Sequence, residues 1–137
     1  MISDYGPPVT VNMPVYNGVP YLAEAIESIL AQSFDDFEFL IIDDASTDGS
    51  KDVVRSYRDP RIRLIENESN MGVTRSRNRG LRQARGEYIA NIDQDDIALP
   101  QRFELQMAYL RQHPCTVLVG ASFCHIDASG KVWREND

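Results

Sequence analysis

At 137 residues, with 42% apolar and 26% charged side chains, the chain supports one globular domain, residues 1–137, with a sizeable core. The 14 basic and 21 acidic residues leave a net charge of −7, which argues against nucleic acid as a partner and requires any anionic substrate to be met by a metal or by clustered arginines. No apolar run approaches the roughly 18 residues of a membrane span, and Met1-Ile2-Ser3-Asp4-Tyr5 lacks the basic and apolar regions of a secretory signal, so a cytoplasmic location is expected.

In chain order, Val9 to Met13 is a β-rich run that stops at Pro14, and Pro14-Val15-Tyr16-Asn17-Gly18 is turn chemistry. Pro20 suits the first turn of a helix whose apolar face is Leu22, Ile26, Ile29 and Leu30. Phe37 to Ile42 is almost continuously apolar, as a parallel strand covered on both faces should be. It runs into Asp43-Asp44-Ala45-Ser46-Thr47-Asp48-Gly49-Ser50, rich in capping and turn residues. A short helix with Val53, Val54 and Tyr57 closes at Asp59-Pro60, and Ile62, Leu64 and Ile65 form a third strand.

After a loop from Asn67 to Gly72, a helix over Val73 to Ala84 is expected to pack through Val73, Ser76, Leu81, Gly80 and Ala84. Gly80 in its middle costs about 1 kcal/mol relative to Ala, so a close neighbour is expected there. Gly86 reads as a C-cap. A fourth strand, Glu87 to Ile92, precedes a helix with Leu99, Phe103, Met107 and Leu110 on one face, ending near His113-Pro114. Thr116 to Ala121 is a fifth strand candidate, and Asp127 to Gly130 is a hairpin turn. Alternating strands and helices with short connections predict a three-layer α/β fold with a mostly parallel sheet. Cys115 and Cys124 lack metal-ligand spacing and are expected as buried free thiols. His113 and His125 suggest no zinc set.

In such a sheet the loops after strands one, two and four gather at one edge, where open α/β sheets bind ligands. Tyr16 offers a ring for stacking and Asn17 a polar edge. Asp43 or Asp44 can accept hydrogen bonds from a base or a ribose. Asp93-Gln94-Asp95-Asp96 places three carboxylates within four residues. If Asp93 and Asp95 share a cavity, a hard divalent cation relieves their repulsion and keeps positions open for phosphate oxygens. No glycine-rich phosphate cradle is present. Of the five arginines on one helix (Arg75, Arg77, Arg79, Arg82 and Arg85), Arg77 lies nearest the small-residue face and is the one expected to reach inward.

Pro14-Val15-Tyr16-Asn17-Gly18, Ile42 to Ser50, Gly72 with Arg77-Asn78-Arg79-Gly80, and Gly86-Glu87-Tyr88-Ile89 leading into Asp93-Gln94-Asp95-Asp96 together resemble the family 2 glycosyltransferases, from about Val9 to Pro114. The resemblance implies an inverting enzyme of GT-A fold, a nucleotide-sugar donor (usually a UDP-sugar), Mg²⁺ or Mn²⁺, and a place in cell-surface polysaccharide synthesis. It implies a carbohydrate or lipid-linked acceptor and peripheral membrane association of the full-length protein. By position, Pro14 and Tyr16 resemble the wall of the base pocket, and Asp44 resembles the aspartate that hydrogen-bonds uracil. Asp93-Gln94-Asp95 resembles the family's D-x-D, which implies Asp95, with Asp93, as metal ligand, Asp93 nearer the ribose or sugar, and Gln94 among the nucleotide-sugar-binding residues. The family's catalytic base is expected beyond residue 137, which makes the chain resemble the donor-binding part of a longer enzyme. A non-catalytic nucleotide-sugar-binding module and a sugar-phosphate nucleotidyltransferase are the alternatives.

Overall fold

A computed structural model describes residues 6–136, with side chains placed as far as Trp133. The N-terminal pentapeptide and its expected lack of a secretory signal lie outside the described residues. The chain divides into two compact units, Met1–Glu104 and Leu105–Asp137.

The first unit is built on a four-stranded sheet of order β3-β2-β1-β4, comprising β1 (Val9–Val15), β2 (Phe37–Asp43), β3 (Ile62–Glu66) and β4 (Tyr88–Asn91). All its pairings are parallel. Every residue of β1 and β2 is buried, while the edge strands β3 and β4 are only partly so. The continuous apolar run Phe39-Leu40-Ile41-Ile42 is therefore central, covered on both faces. Right-handed crossovers from β1 to β2 to β3 place α1 (Val19–Leu30) and α2 (Ser50–Ser56) on one face. The reverse step from β3 to β4 puts α3 (Val73–Gln83) on the other. The direction of winding changes between β1 and β4, and a crevice opens at their C-terminal ends.

The sequence periodicity identifies the buried face of α1: Leu22, Ala25, Ile26 and Ile29 are buried, and Pro20 lies in its first turn. On α3 only Ser76 and Gly80 are buried, whereas Val73 and Leu81 are exposed. The small residues let this helix lie so close to β1 that its larger apolar side chains fall outside the contact. Gly80 meets Asn12 of β1: a Cβ there would stand 1.9 Å from Asn12 Oδ1. The helix ends at Ala84 in extended conformation. Gly86 is no C-cap; a Cβ on it would lie 2.4 Å from the backbone N of Thr10, so it serves close approach.

The boundary between the units falls inside α4 (Arg102–Gln112). Phe103, Met107 and Leu110 are buried as the spacing predicts, but Leu99 precedes the helix and is exposed. In the second unit Thr116 to Ala121 forms no strand. The strands there are β5 (Phe123–Ile126) and β6 (Val132–Asn136), an antiparallel pair around the turn at Asp127. The Asp127 carboxylate accepts from the Ser129 hydroxyl and from the backbone N–H of Lys131 and Ser129, which hold its pKa below the ordinary value. Cys115 and Cys124 are exposed rather than buried. A two-stranded ribbon has no second layer to cover its neighbours, and Val117 is 98% exposed.

Candidate functional site

A cleft of about 200 Å³ lies at the crevice between β1 and β4, lined by Pro14, Val15, Tyr16, Asp44, Val73, Asp93, Gln94 and Asp95. The loops after the first, second and fourth strands thus meet as the topology requires. Val15 and Val73 were not expected in the lining; Val73 is exposed because it opens onto this cleft.

The β1–α1 turn is held from below. Asn17 takes a left-handed conformation, φ 50°, and its Oδ1 accepts from the backbone N–H of Thr47 at 2.8 Å. Its own backbone N–H donates to Ser46 Oγ. The Asn17 amide therefore braces two loops and is not among the cleft's lining residues. The Gly18 N–H donates to Ser50 Oγ, and the Val19 N–H donates to Asp48 Oδ2. Asp48 also accepts from the Ser50 N–H and hydroxyl, so it fixes the starts of α1 and α2 together.

Asp43 and Asp44 part company at the end of β2. Asp43 is buried; its Oδ2 accepts from the Ser46 N–H, and its Oδ1 has no hydrogen-bond partner. Asp44 faces the cleft. Its Oδ1 accepts from Asn67 Nδ2 at 2.6 Å and the Met71 N–H at 2.9 Å, and its Oδ2 from the Gly72 N–H at 2.8 Å. Burial by itself would raise this carboxyl's pKa. The Met71 and Gly72 amides and the Asn67 and Ser76 side chains outweigh burial, and the pKa lies below its ordinary value. Asp44 is therefore an ionised acceptor that faces the cleft. The partners Asn67 and Ser76 sit nine residues apart on no periodic pattern, so sequence reasoning missed them.

The fourth-strand segment contrasts with this. Asp93 and Asp95 line the cleft and are exposed. Arg77 of α3 pairs with Asp93 Oδ1 but is not among the residues lining the cleft. Gln94 uses both ends of its amide on one residue: Oε1 accepts from the Tyr16 N–H at 2.8 Å, and Nε2 donates to the Tyr16 carbonyl at 3.1 Å. Asp96 has a raised pKa, first through burial and then through the charges of Asp93 and Asp95. Behind it, Arg102 is held below its ordinary pKa by burial, partly offset by Asp96.

These residues fit a divalent cation of the Mg²⁺ or Mn²⁺ type. Asp93 and Asp95 are hard oxygen donors lining one cleft. Among the described residues no three His, Cys, Asp or Glu side chains gather as a metal cage. The donor set suits an ion that completes its shell with water and phosphate rather than with protein.

The sequence model of glycosyl transferase family 2 matches residues 10–137. The chain belongs to this family. Over 128 residues it is 42% identical to EpsE of Bacillus subtilis, covering 91% of this chain and 46% of that protein. The family 2 fold is shared with S. aureus TarS, solved with UDP-GlcNAc: TM-score 0.74 and 31% identity over 77% of this chain and 32% of that one. Mannosyltransferase PcManGT from Pyrobaculum calidifontis, solved with GDP-Man and Mn²⁺, gives a TM-score of 0.69 at 32% identity, over 90% of this chain and 37% of that one. The first unit therefore has the GT-A architecture of family 2. The chain spans about half the length of the curated relatives it matches.

Proposed function

We propose that this chain is the donor-binding part of a glycosyltransferase. The enzyme transfers a sugar from a nucleotide-diphospho-sugar, a UDP-sugar, to an acceptor hydroxyl with inversion, in cell-surface polysaccharide synthesis. The observation that carries this reading is the composition of one cleft: the Tyr16 ring, the ionised acceptor Asp44, and the exposed pair Asp93 and Asp95.

Pro14 and Tyr16 form the wall on which the base stacks. The ionised Asp44 carboxylate accepts an N–H from the base, as the ring N–H of uracil would supply. Asp93 and Asp95 are the residues that would hold Mg²⁺ or Mn²⁺, and the bound cation supplies charge neutralisation for the departing diphosphate. Arg77 pairs with Asp93 and adds its own positive charge beside the cleft. In the transfer, the bond from the anomeric carbon to the diphosphate oxygen breaks as the acceptor oxygen bonds to the opposite face. The acceptor's proton goes to a carboxylate base.

Calorimetric titration with UDP tests the reading. Affinity should be about tenfold higher in Mn²⁺ than in EDTA, and Asp95→Ala should remove that difference. Equal affinity in Mn²⁺ and EDTA overturns the metal role; no UDP binding in either overturns the donor-site reading.

A further inference from the structure

Resting on the donor-site reading, we propose that Gln94 is a positioning residue that makes the two ends of the cleft bind cooperatively. It locks the loop that carries the aromatic ring to the segment that carries the carboxylates.

The backbone leaves a gap that this side chain fills. Pairing between β1 and β4 runs from Val9↔Tyr88 to Asn12↔Asn91. One further hydrogen bond, from the Ile92 N–H to the Asn12 carbonyl at 3.3 Å, closes the ladder. Beyond it β1 continues beside β2 as far as Val15↔Asp43, while the chain after β4 turns away. Among the described residues, the hydrogen bonds that rejoin Pro14–Gly18 to Asp93–Asp96 are the two that Gln94 makes to Tyr16. Its carboxamide presents one acceptor and one donor, as a strand residue would, and so extends the ladder past its end. Few side chains can do this. Glutamate, ionised, cannot donate to the Tyr16 carbonyl; alanine can do neither.

A second residue, far away in sequence, is cut to fit. A Cβ on Gly18 would lie 2.8 Å from Gln94 Oε1 and 2.9 Å from its Cδ. Gly18 has a negative φ of −101°, so its backbone does not demand glycine. The missing side chain makes room for the Gln94 amide. Tyr16 and Asp93 to Asp95 therefore move as one body. A base seated against Tyr16 fixes the carboxylates for the diphosphate, and a diphosphate seated on the carboxylates fixes Tyr16 for the base.

Three ligands separate this coupling from a general structural role: uridine, pyrophosphate with Mn²⁺, and UDP with Mn²⁺, each titrated calorimetrically. In Gln94→Ala, uridine and pyrophosphate affinities should stay within about twofold, while UDP affinity falls about five- to tenfold. Gly18→Ala, which pushes the amide off Tyr16, should reproduce that loss, and the double variant should be no worse than either single one. Gln94→Glu should be as impaired as Gln94→Ala, having lost the donor. The coupling is overturned if UDP affinity is unchanged in Gln94→Ala, if all three ligands weaken in parallel, or if the Gly18 and Gln94 defects add. Failure of the wild-type chain to bind UDP overturns the donor-site reading itself, and the coupling with it.

Discussion

Two acidic segments end neighbouring regions of the same sheet, and the fold treats them in opposite ways. Asp43 and Asp44, at the end of central strand β2, are buried, and Asp44 accepts hydrogen bonds from Asn67, Met71 and Gly72. Asp93, Asp95 and Asp96, after edge strand β4, are exposed residues; partial burial of the Asp96 carboxyl, and then the charges of Asp93 and Asp95, raise its pKa. The difference lies in what surrounds each strand end. β2 has partners on both sides, and the loop from Asn67 to Gly72 brings a ring of donors to its tip. β4 pairs with β1 alone and then runs free. The first segment is held by the scaffold's donors, whereas the second leaves its charge exposed at the cleft.

The largest test of that contrast is Asp44→Ala. It strips the acceptor from two backbone amides and the Asn67 side chain, and leaves buried donors unpaired. A loss of about 3 kcal/mol in urea unfolding at pH 7 is expected. The pH dependence has a fixed sign. Because the folded pKa is lowered, the stability from Asp44 is fully present above the ordinary carboxyl value of 3.8 and is lost as pH falls below it through the folded pKa. Asp44→Asn should therefore unfold with a shallower acid limb than wild type below pH 3.8. An acid limb of unchanged steepness would show that the Asp44 charge is not what the loop is built around.

The next effect concerns α3, which serves both segments: its Ser76 supports Asn67 beneath Asp44, and its Arg77 pairs with Asp93. Gly80→Ala would place a methyl 1.9 Å from Asn12 Oδ1, with Asn12 Cγ at 2.7 Å. Ala improves helix propensity by about 1 kcal/mol, but overpacking outweighs it, and a net loss of about 2 kcal/mol is expected. Asn12→Ala should recover much of this in the double variant, because the clash disappears with the amide. Additive losses would place the cause outside the Asn12–Gly80 contact.

The sequence carried these features unequally. The order of strands and helices was legible because β1, β2 and α1 are strongly patterned and flanked by turn residues. Gly80 announced a close neighbour by its cost in a helix, without naming Asn12. The meeting of Tyr16, Asp44 and Asp93 followed from topology alone. What failed were inferences that needed a tertiary partner. Thr116 to Ala121 has strand composition, but a strand exists only when another pairs with it, and in its own unit none does. Val73 and Leu81 were assigned to the core because they are apolar, although the small face of Ser76 and Gly80 decides which side of α3 packs. Asn67 read only as the first residue of a loop, and nothing local shows that it holds the Asp44 carboxylate. Gln94 was read as a ligand contact by its place between Asp93 and Asp95; its grip on Tyr16 spans 78 positions and has no local pattern.

The smallest effect on folding should come from the residue with the largest effect on the metal. Asp95 is exposed, accepts no hydrogen bond among the described residues, and adds repulsion at Asp96. Removing its charge in Asp95→Asn leaves no donor stranded and relieves that repulsion. Stability should therefore change by no more than about 0.5 kcal/mol, with the variant slightly the more stable at low salt. The gain should shrink as salt rises, because the Debye length falls to about 8 Å at physiological ionic strength. Mn²⁺ should then raise the unfolding midpoint of wild type but not of Asp95→Asn, since only a ligand bound to the native state stabilises it. If Asp95→Asn destabilised the chain as Asp44→Ala does, Asp95 would be part of the scaffold, and the contrast between the two acidic segments would be lost.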